Sequence, residues 1–338
     1  MRSLILHVLL CISVPALCQQ PDFTVHNLSL PPELSFYDNQ FSGLYIHEGK
    51  LFLMSESRLQ DKAEAKLYAI NLTDLDRKIL DTAFSLPFKK YHIYNLDLLR
   101  EKMKQNGDEY EGLEAIVING NDVYLTPETE TASPNCYLLK GHLNYTNLVM
   151  DPDVMMPLKK PVNRNGSHIY NAGFEALGMI DGNLYSFYEY NFFPEDNYVK
   201  MISPASLEKG GQHHSIYLDK IPFRVTDITP NGSGFTAINY FYKGGGYDAV
   251  YRVPKNQTSA DRLSKDSLGV YRNYSRLIDI SFNGMQFSWK TLWEFPEEYH
   301  SYNWEGLAAY NKGYFLINDK YTPTKPYVTR LLYFKPKN

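Results

Sequence analysis

The sequence predicts an all-β protein, a β-propeller with five blades, or six as the alternative. Three observations support this fold class: a hairpin-like segment recurs five times, further apolar strands follow each copy, and helix signals are sparse. Four antiparallel strands repeated along one chain are the sequence sign of a propeller. The 338 residues, of which 43% are hydrophobic, supply ample material for a core.

Each copy of the repeat consists of a strand, a turn with Gly or Asn, and a second strand. The five copies are FSGLYIHEGKLFLMSES from Phe41, LEAIVINGNDVYLTPET from Leu113, FEALGMIDGNLYSFYEY from Phe174, VTDITPNGSGFTAINYF from Val225 and WEGLAAYNKGYFLINDK from Trp304. Only one strand follows the fifth copy, and DFTVHNLSLPP near the N-terminus matches the strand that is missing there. We therefore expect this N-terminal strand to complete the last blade and close the ring.

The segments between the hairpins predict the outer strands and one helix. RKILDTAFSL (77–86) is predicted as the fourth strand of the first blade. YDAVYRVP (247–254) is predicted as the third strand of the fourth blade, followed by RLIDISF (276–282) or KTLWEF (290–295). NLDLLREKMKQNG (95–107) has amphipathic spacing and ends at a glycine, which predicts a helix.

The first 18 residues predict a secretory signal peptide, and residues 19–338 a single propeller domain. Arg2 is followed by an apolar segment and by a cleavage pattern of small residues that ends at Cys18. Acylation of Cys18 is the weaker alternative, because the bulky Leu17 precedes it. Cys136 is then the only cysteine of the mature chain, so we expect an extracellular protein without an internal disulfide.

Charge and hydropathy exclude some partners and indicate one modification. The net charge of −4 gives no electrostatic case for nucleic acid. No later stretch has the roughly 20 apolar residues of a membrane span. Seven N-glycosylation sequons spread along the chain and predict a glycoprotein in a eukaryotic source. They are Asn27, Asn71, Asn144, Asn165, Asn231, Asn256 and Asn273.

Acidic residues recur at both ends of the hairpins with constant spacing. The pairs that lie fourteen residues apart are Ser42 and Glu56, Glu114 and Glu128, Glu175 and Glu189, and Glu305 and Asp319. The fourth copy has Thr226 and Tyr240 at these places. Because the first strand of each blade lines the central channel, we expect the first member of each pair at one mouth of that channel. The second member is expected beside it as a cross-strand neighbour.

Carboxylates that converge on one axis must be protonated, paired with bases or bound to a cation. Hard oxygen ligands suit Ca²⁺, so Ser42, Glu114, Glu175 and Glu305 are candidate metal ligands. The simpler alternative is that each Glu caps its blade by bonding backbone N–H groups or a lysine.

Further candidates lie next to these ligands. Glu128, Glu189 and Asp319 are candidates for orienting water or acting as general base. Arg58, Lys320 and Tyr321 follow mouth acids directly and either hold an anionic substrate group or neutralise the acids.

Three segments resemble the phytase-like esterase domain family. They are SGLYIHEGKLFLMSES, YEGLEAIVINGNDVYLTPETE and NWEGLAAYNKGYFLINDKYTPTKPYVTRLLYF. The architecture is also similar to that of the calcium-activated nucleotidases, which are five-bladed propellers with an axial calcium. The resemblance implies a secreted propeller that hydrolyses esters or phosphoesters, although Thr226 and Ser42 depart from a full set of acids.

Two functional hypotheses follow from the sequence. The first is a calcium-dependent ester or phosphoester hydrolase that takes a small anionic substrate. The second is a non-enzymatic extracellular glycoprotein that serves as a binding or matrix platform for another macromolecule. Fold does not decide between them.

Overall fold

The computed structural model describes residues 22–36, 39–56, 65–244, 263–319 and 329–337. The predicted signal peptide and the segment YDAVYRVP therefore lie outside the described residues. No helix among the described residues is long and apolar enough to cross a membrane.

Most described residues lie in strands, which form consecutive antiparallel groups of four. The first group contains β2 (Phe41–His47), β3 (Lys50–Ser55), β4 (Lys66–Asn71) and β5 (Lys89–Tyr94). The second contains β6 (Tyr110–Asn119), β7 (Asp122–Thr129), β8 (Asn135–Leu143) and β9 (Asn147–Lys159). The third contains β10 (Ala176–Ile180), β11 (Asn183–Phe187), β12 (Asn197–Ile202) and β13 (His214–Leu218).

The last two groups complete the arrangement. The fourth contains β14 (Arg224–Asn231), β15 (Gly234–Phe241), β16 (Tyr274–Phe282) and β17 (Gln286–Glu294). The fifth contains β18 (Asn303–Tyr310), β19 (Gly313–Asp319), β20 (Leu331–Pro336) and β1 (Phe23–Leu28). β1 pairs with β20 along six residues, so the N-terminal strand closes the last group as predicted.

The first strands of the groups pack against one another in a ring. β2 contacts β6, β6 contacts β10, β10 contacts β14, β14 contacts β18, and β18 contacts β2 again. Short parallel pairings between β5 and β9 and between β13 and β17 join neighbouring groups at their outer edges. This all-β arrangement is that of a β-propeller, in which the start of each first strand faces a shared axis.

The helices show one confirmed and one wrong prediction. α2 (Leu96–Gln105) confirms the predicted helix. RKILDTAFSL is not a strand, because residues Leu72–Leu80 form helix α1 and β5 takes the fourth place. Leu72, Leu75 and Ile79 pack on the core at helical spacing, which explains the error. The other helices in the described part of the chain are α3 (Pro204–Glu208) and the short 3-10 helix Glu297–Tyr299.

The fourth group differs from the sequence prediction in its third strand. β15 pairs directly with β16, so RLIDISF occupies the third place and KTLWEF lies in the fourth. Aromatic rings fill the seam between the third and fourth groups, where Phe187 lies edge-on to Phe235 and Phe287 with ring centroids 5.5 and 5.7 Å apart. Such pairs add to the stability that burial of their area provides.

Two buried hydroxyl groups connect neighbouring first strands. Ser42 Oγ donates to the carbonyl oxygen of Leu113 at 2.6 Å, and Thr226 Oγ1 donates to that of Trp304 at 2.6 Å. Each acceptor is the residue just before a mouth glutamate of the next group. At the two repeat positions that lack an acid, the side chain therefore hydrogen-bonds to the first strand of the next group.

Replacing Thr226 with valine removes this donor while the side chain keeps its shape. We expect Thr226→Val to lower the free energy of unfolding by about 1–3 kcal/mol, because a buried carbonyl loses its partner. Urea unfolding measures this change. The matched control is Thr24→Val on the exposed side of β1, where the effect should stay within about 0.5 kcal/mol. Equal effects of the two substitutions would contradict the role of the hydroxyl group.

Candidate axial carboxylate site

The candidate mouth residues lie where the strands are irregular. The ladder register shifts at Ser42, Glu114, Thr226 and Glu305. Glu175 directly precedes β10. A β-bulge leaves its extra residue unpaired and changes the direction of that side chain. At all five equivalent positions the chain therefore departs from regular strand geometry, at the end of the strand that lies near the axis.

The bulges also change which residues face each other across each hairpin. Glu128 pairs with Gly112, and Asp319 pairs with Asn303. Each partner lies two residues before the mouth glutamate, Glu114 in the first case. The prediction that residues fourteen apart are direct cross-strand neighbours is therefore wrong by two positions. The extra residue of the bulge accounts for one of them. The position of the turn, where Asn119 pairs with Asp122 and Tyr310 with Gly313, accounts for the other.

The second acid of the first two hairpins packs against the next group. A Cβ added at Gly112 would lie 2.7 Å from Glu56 Cγ, and one added at Gly173 would lie 3.2 Å from Glu128 Cγ. A side chain at Gly112 would therefore displace Glu56, and one at Gly173 would crowd Glu128. The N–H group of Leu113 also donates to the carbonyl oxygen of Glu56 at 3.0 Å, which fixes the same contact through the backbone.

Arg224 occupies the same place in the fourth group and carries a positive charge. Its Nε forms an ion pair with Glu189, and its Nη2 lies 3.4 Å from Glu175 Oε2 and 3.5 Å from Glu305 Oε1. Its Nη1 donates to Asn303 Oδ1 at 3.2 Å. The guanidinium group of the fourth group thus bridges acids of the third and fifth groups at the mouth. Arginine suits this place because it presents several donors in a rigid plane.

Sequence reasoning missed Arg224, although a signal exists. Arg224 precedes Thr226 by two residues, just as Gly112 precedes Glu114 and Gly173 precedes Glu175. The side chain at this position meets the acid of the preceding group, so a basic residue there is a predictable partner.

Glu114 is the mouth acid with the least compensation. It is 6% exposed, and its carboxylate makes no hydrogen bond or ion pair with the part of the chain that the structure describes. Burial raises the pKa of Glu114 well above its ordinary value, and the negative charges of four other acids raise it further. Those acids are Glu56, Glu128, Glu175 and Glu305.

Glu175 has a mixed environment. Burial raises its pKa well above the ordinary value, Arg224 partly lowers it, and the charges of Glu305 and Glu128 raise it. Glu305 accepts hydrogen bonds from Asn303 Nδ2 at 2.5 Å and from Arg224. The site therefore brings together Glu114, Glu175 and Glu305, but only the last two have basic or amide partners.

Asp227 is a buried acid of the channel that sequence reasoning also missed. It follows Thr226, and its carboxylate accepts from the N–H groups of Leu307 at 2.6 Å and Ile228 at 2.8 Å. Burial raises the pKa of Asp227, while the N–H donors, including that of Leu44, oppose the shift. Asp227 bonds the fourth group to the fifth and the first, which is a structural task.

The other predicted site residues divide into three kinds. Glu128 and Glu189, the candidate bases, are 1% and 0% exposed, whereas Asp319 is half-buried. Arg58, Lys320 and Tyr321 lie outside the described residues. Among the described residues no group of three or more His, Cys, Asp or Glu side chains is arranged to hold a metal ion directly.

The described sequons lie at or near the surface. Asn27, Asn71, Asn144, Asn165 and Asn231 are exposed, and Asn273 is half-buried. Asn256 lies outside the described residues. Glycosylation itself stays a prediction.

Comparisons with known proteins give distant structural likenesses. No protein-family model matches the chain, and no curated protein matches it either. The catalytic domain of a GH62 α-L-arabinofuranosidase from Coprinopsis cinerea is 11% identical, with a TM-score of 0.48 over 93% of this chain and 97% of that one. A GH43 β-xylosidase/α-arabinofuranosidase from a compost microbial metagenome, in a calcium-free complex with xylotriose, is 8% identical, with a TM-score of 0.49 over 91% and 94%.

A third solved structure, a GH43 β-1,3-galactosidase with galactodeoxynojirimycin, is 12% identical, with a TM-score of 0.48 over 87% of this chain and 90% of that one. At TM-scores below 0.5 these likenesses decide no activity for this chain. The three proteins are glycosidases by name, so the resemblance to esterases and nucleotidases gains no support from them.

Removing the charge of Glu114 should change the pH dependence of stability. An unfolded glutamate ionises near pH 4.5, whereas Glu114 holds its proton to higher pH in the folded protein. The folded state binds more protons between the two values, so stability falls there as pH rises. We expect Glu114→Gln to be more stable than the native protein at neutral pH in chelator, with a flatter pH profile above pH 4.5.

Urea unfolding across pH checks this expectation. Glu101→Gln on the exposed side of α2 is the control and should follow the native profile. A Glu114→Gln profile as steep as the native one would contradict the raised pKa.

Replacing Arg224 with methionine should remove the cation that pairs with Glu175, Glu189 and Glu305. We expect Arg224→Met to lower the free energy of unfolding by about 3–5 kcal/mol, because an uncompensated buried charge is strongly destabilising. The loss should shrink toward acid pH, where the carboxylates take up protons. Arg272→Met, which removes an exposed pair with Glu297, should cost about 1 kcal/mol or less. A small, pH-independent effect of Arg224→Met would show that the arginine does not compensate the acids.

Proposed function

We propose that the chain is a five-bladed propeller whose axial acids bind Ca²⁺, and that this site hydrolyses its substrate. The observation that carries the proposal is Glu114, a buried carboxylate surrounded by four others and without a partner among the described residues. Such a group needs either a proton or a cation. The five equivalent positions around the ring support the blade count in this proposal.

The donors at the mouth fit a hard cation. Glu114, Glu175 and Glu305 offer carboxylate oxygens, and the Ser42 hydroxyl keeps lone pairs while it donates to Leu113. Calcium binds such oxygens and also accepts water in its coordination shell. Because no three acids hold an ion directly among the described residues, we propose that part of this contact runs through water.

In this proposal the residues of the site have different roles in hydrolysis. A bound calcium ion would polarise the bond to be cleaved. Asp319 is our candidate for general base, because it is more exposed than Glu128 and Glu189. Glu189 instead holds Arg224 in place through their ion pair.

The charge at the mouth affects which substrates can bind there. Among the described residues the mouth acids outnumber Arg224, so without a cation they would repel a phosphate or carboxylate group. An anionic substrate therefore requires the cation, whereas a neutral glycoside does not. A comparison of anionic substrates with neutral glycosides tests the substrate class.

A second candidate function rests on the raised pKa of Glu114. If Glu114 takes a proton instead of a cation, it is a general acid beside a carboxylate that Arg224 compensates. Two acids in different environments are the machinery of glycoside hydrolysis. This candidate predicts hydrolysis of neutral glycosides without calcium.

A calcium-dependent melt tests the binding step. We expect calcium to stabilise the protein relative to chelator, by about 2.7 kcal/mol at a hundredfold excess over Kd. Glu114→Gln and Glu175→Gln should lose most of this shift, while Glu101→Gln keeps it. Identical melting of the native protein with calcium and with chelator would contradict the proposed calcium site.

Turnover separates the functional hypotheses. Nitrophenyl phosphate, nitrophenyl acetate and nitrophenyl glycosides are offered with calcium and with chelator. Calcium-dependent cleavage of one of them, lost in Glu175→Gln, supports the first proposal. Glycoside cleavage that persists in chelator supports the second. A melting shift with no turnover on any of them would favour the non-enzymatic platform.

A further inference from the structure

A second cavity lies at the seam between the second and third groups, apart from the axial acids. Its volume is about 460 Å³, within the range of small-ligand pockets. Residues 159–164, at the end of β9, form one wall, and residues 188–200 form most of the other. No axial carboxylate is among the described residues that line it.

Aromatic rings form the floor of this cavity. Phe174, Tyr188 and Phe193 are buried, and Tyr190 is half-buried beside them. Phe174 and Tyr188 lie edge-on with centroids 5.3 Å apart, and Tyr190 and Phe193 with centroids 4.9 Å apart. Ring faces and edges of this kind suit a flat apolar ligand group.

Hydrogen bonds within the loop hold the floor in shape. Asn191 Nδ2 donates to the carbonyl oxygen of Tyr188 at 2.5 Å, and Asn197 Oδ1 accepts from the N–H group of Phe193 at 3.0 Å. Lys220 Nζ donates to the carbonyl oxygen of Pro194 at 2.7 Å. The cavity is therefore preformed, and a ligand does not have to order the loop.

The walls of the cavity carry an excess of positive charge. Lys159, Lys160, Arg164 and Lys200 line it, against Glu195 and Asp196. Arg164 pairs with Glu195, and Lys160 Nζ donates to two backbone carbonyls.

Lys200 is the basic side chain that the third group contributes to the cavity. Its Nζ donates to Ser215 Oγ at 3.1 Å and forms no ion pair with the described residues. Burial lowers the pKa of Lys200, with no acid to oppose the shift. Lys159 is exposed at the edge of the cavity.

We propose that this cavity binds a small anion that carries a flat ring, with the ring on the aromatic floor and the anionic group at Lys200. An anion would give the lysine the charged partner that the described chain lacks, and charge-assisted hydrogen bonds are the stronger ones. This ligand site is separate from the proposed calcium site.

Naphthoate and naphthol form a matched pair of probes, because they share the ring system and differ in charge at neutral pH. Neither has a bond that a hydrolase cleaves. By titration calorimetry on the full chain we expect naphthoate to bind about tenfold more tightly than naphthol, the worth of one good hydrogen bond to a charge. Lys200→Met should lose about this tenfold for naphthoate and leave naphthol unchanged.

Lys290→Met, at an exposed lysine of the fourth group, is the control and should bind both probes as the native protein does. Tyr190→Ala should weaken both probes, because it shortens the floor. Glu175→Gln should leave naphthoate binding intact, which keeps this test independent of the proposed function. No naphthoate binding at millimolar concentration, equal binding of naphthol, or equal behaviour of the Lys200 and Lys290 variants would each overturn the proposal.

Discussion

Burial of like charges at one end of the strand ring is the constraint on which the site depends. The first strands begin at the same end, so acids from different groups meet where little water is present to screen them. Arg224 compensates the charges of Glu175, Glu189 and Glu305 with one planar guanidinium group. Glu114 has no such partner among the described residues, and the proposals for the site rest on that difference.

The same end of the ring also closes the seams between groups. Where the mouth position holds Ser42 or Thr226, the side chain donates to a carbonyl of the next strand. Where it holds glutamate, the side chain has no proton to donate once ionised. The equivalent positions are therefore divided between hydroxyl groups, which bond the seams, and carboxylates, which we propose bind a cation.

Much of the fold was predictable because its signals are local. The five hairpins, the helix at Leu96–Gln105 and the closing strand β1 follow from alternation, turn residues and repeat spacing. Helix α1 was assigned wrongly, because a short apolar run fits both periods until its packing face is known. The bulges could not be predicted for a different reason, because one extra residue in a strand ladder does not change the amino-acid composition in a recognisable way.

The site was predictable in its acids but not in their partners. Regular spacing marked Glu114, Glu175 and Glu305, yet Arg224 and Asp227 act across seams between groups that are far apart in sequence. Asp227 shows the limit most clearly. It follows the bulge at Thr226, and two of its three N–H donors, Leu307 and Leu44, lie in other groups far away in sequence.

Glu114 links the two proposed chemistries because a proton and a cation compete for the same carboxylate. A calcium ligand must be deprotonated, so a raised pKa weakens calcium binding at acid pH and makes binding release a proton. Arg224 acts in the opposite sense on Glu175, because its charge already favours the ionised form. Burial still raises the pKa of both carboxylates, so a cation at the mouth would have to favour the ionised form of both, with help from Arg224 at Glu175. The free energy of that ionisation would reduce the affinity for the proposed cation, so the affinity would reflect both the burial of Glu114 and the charges of the four acids around it.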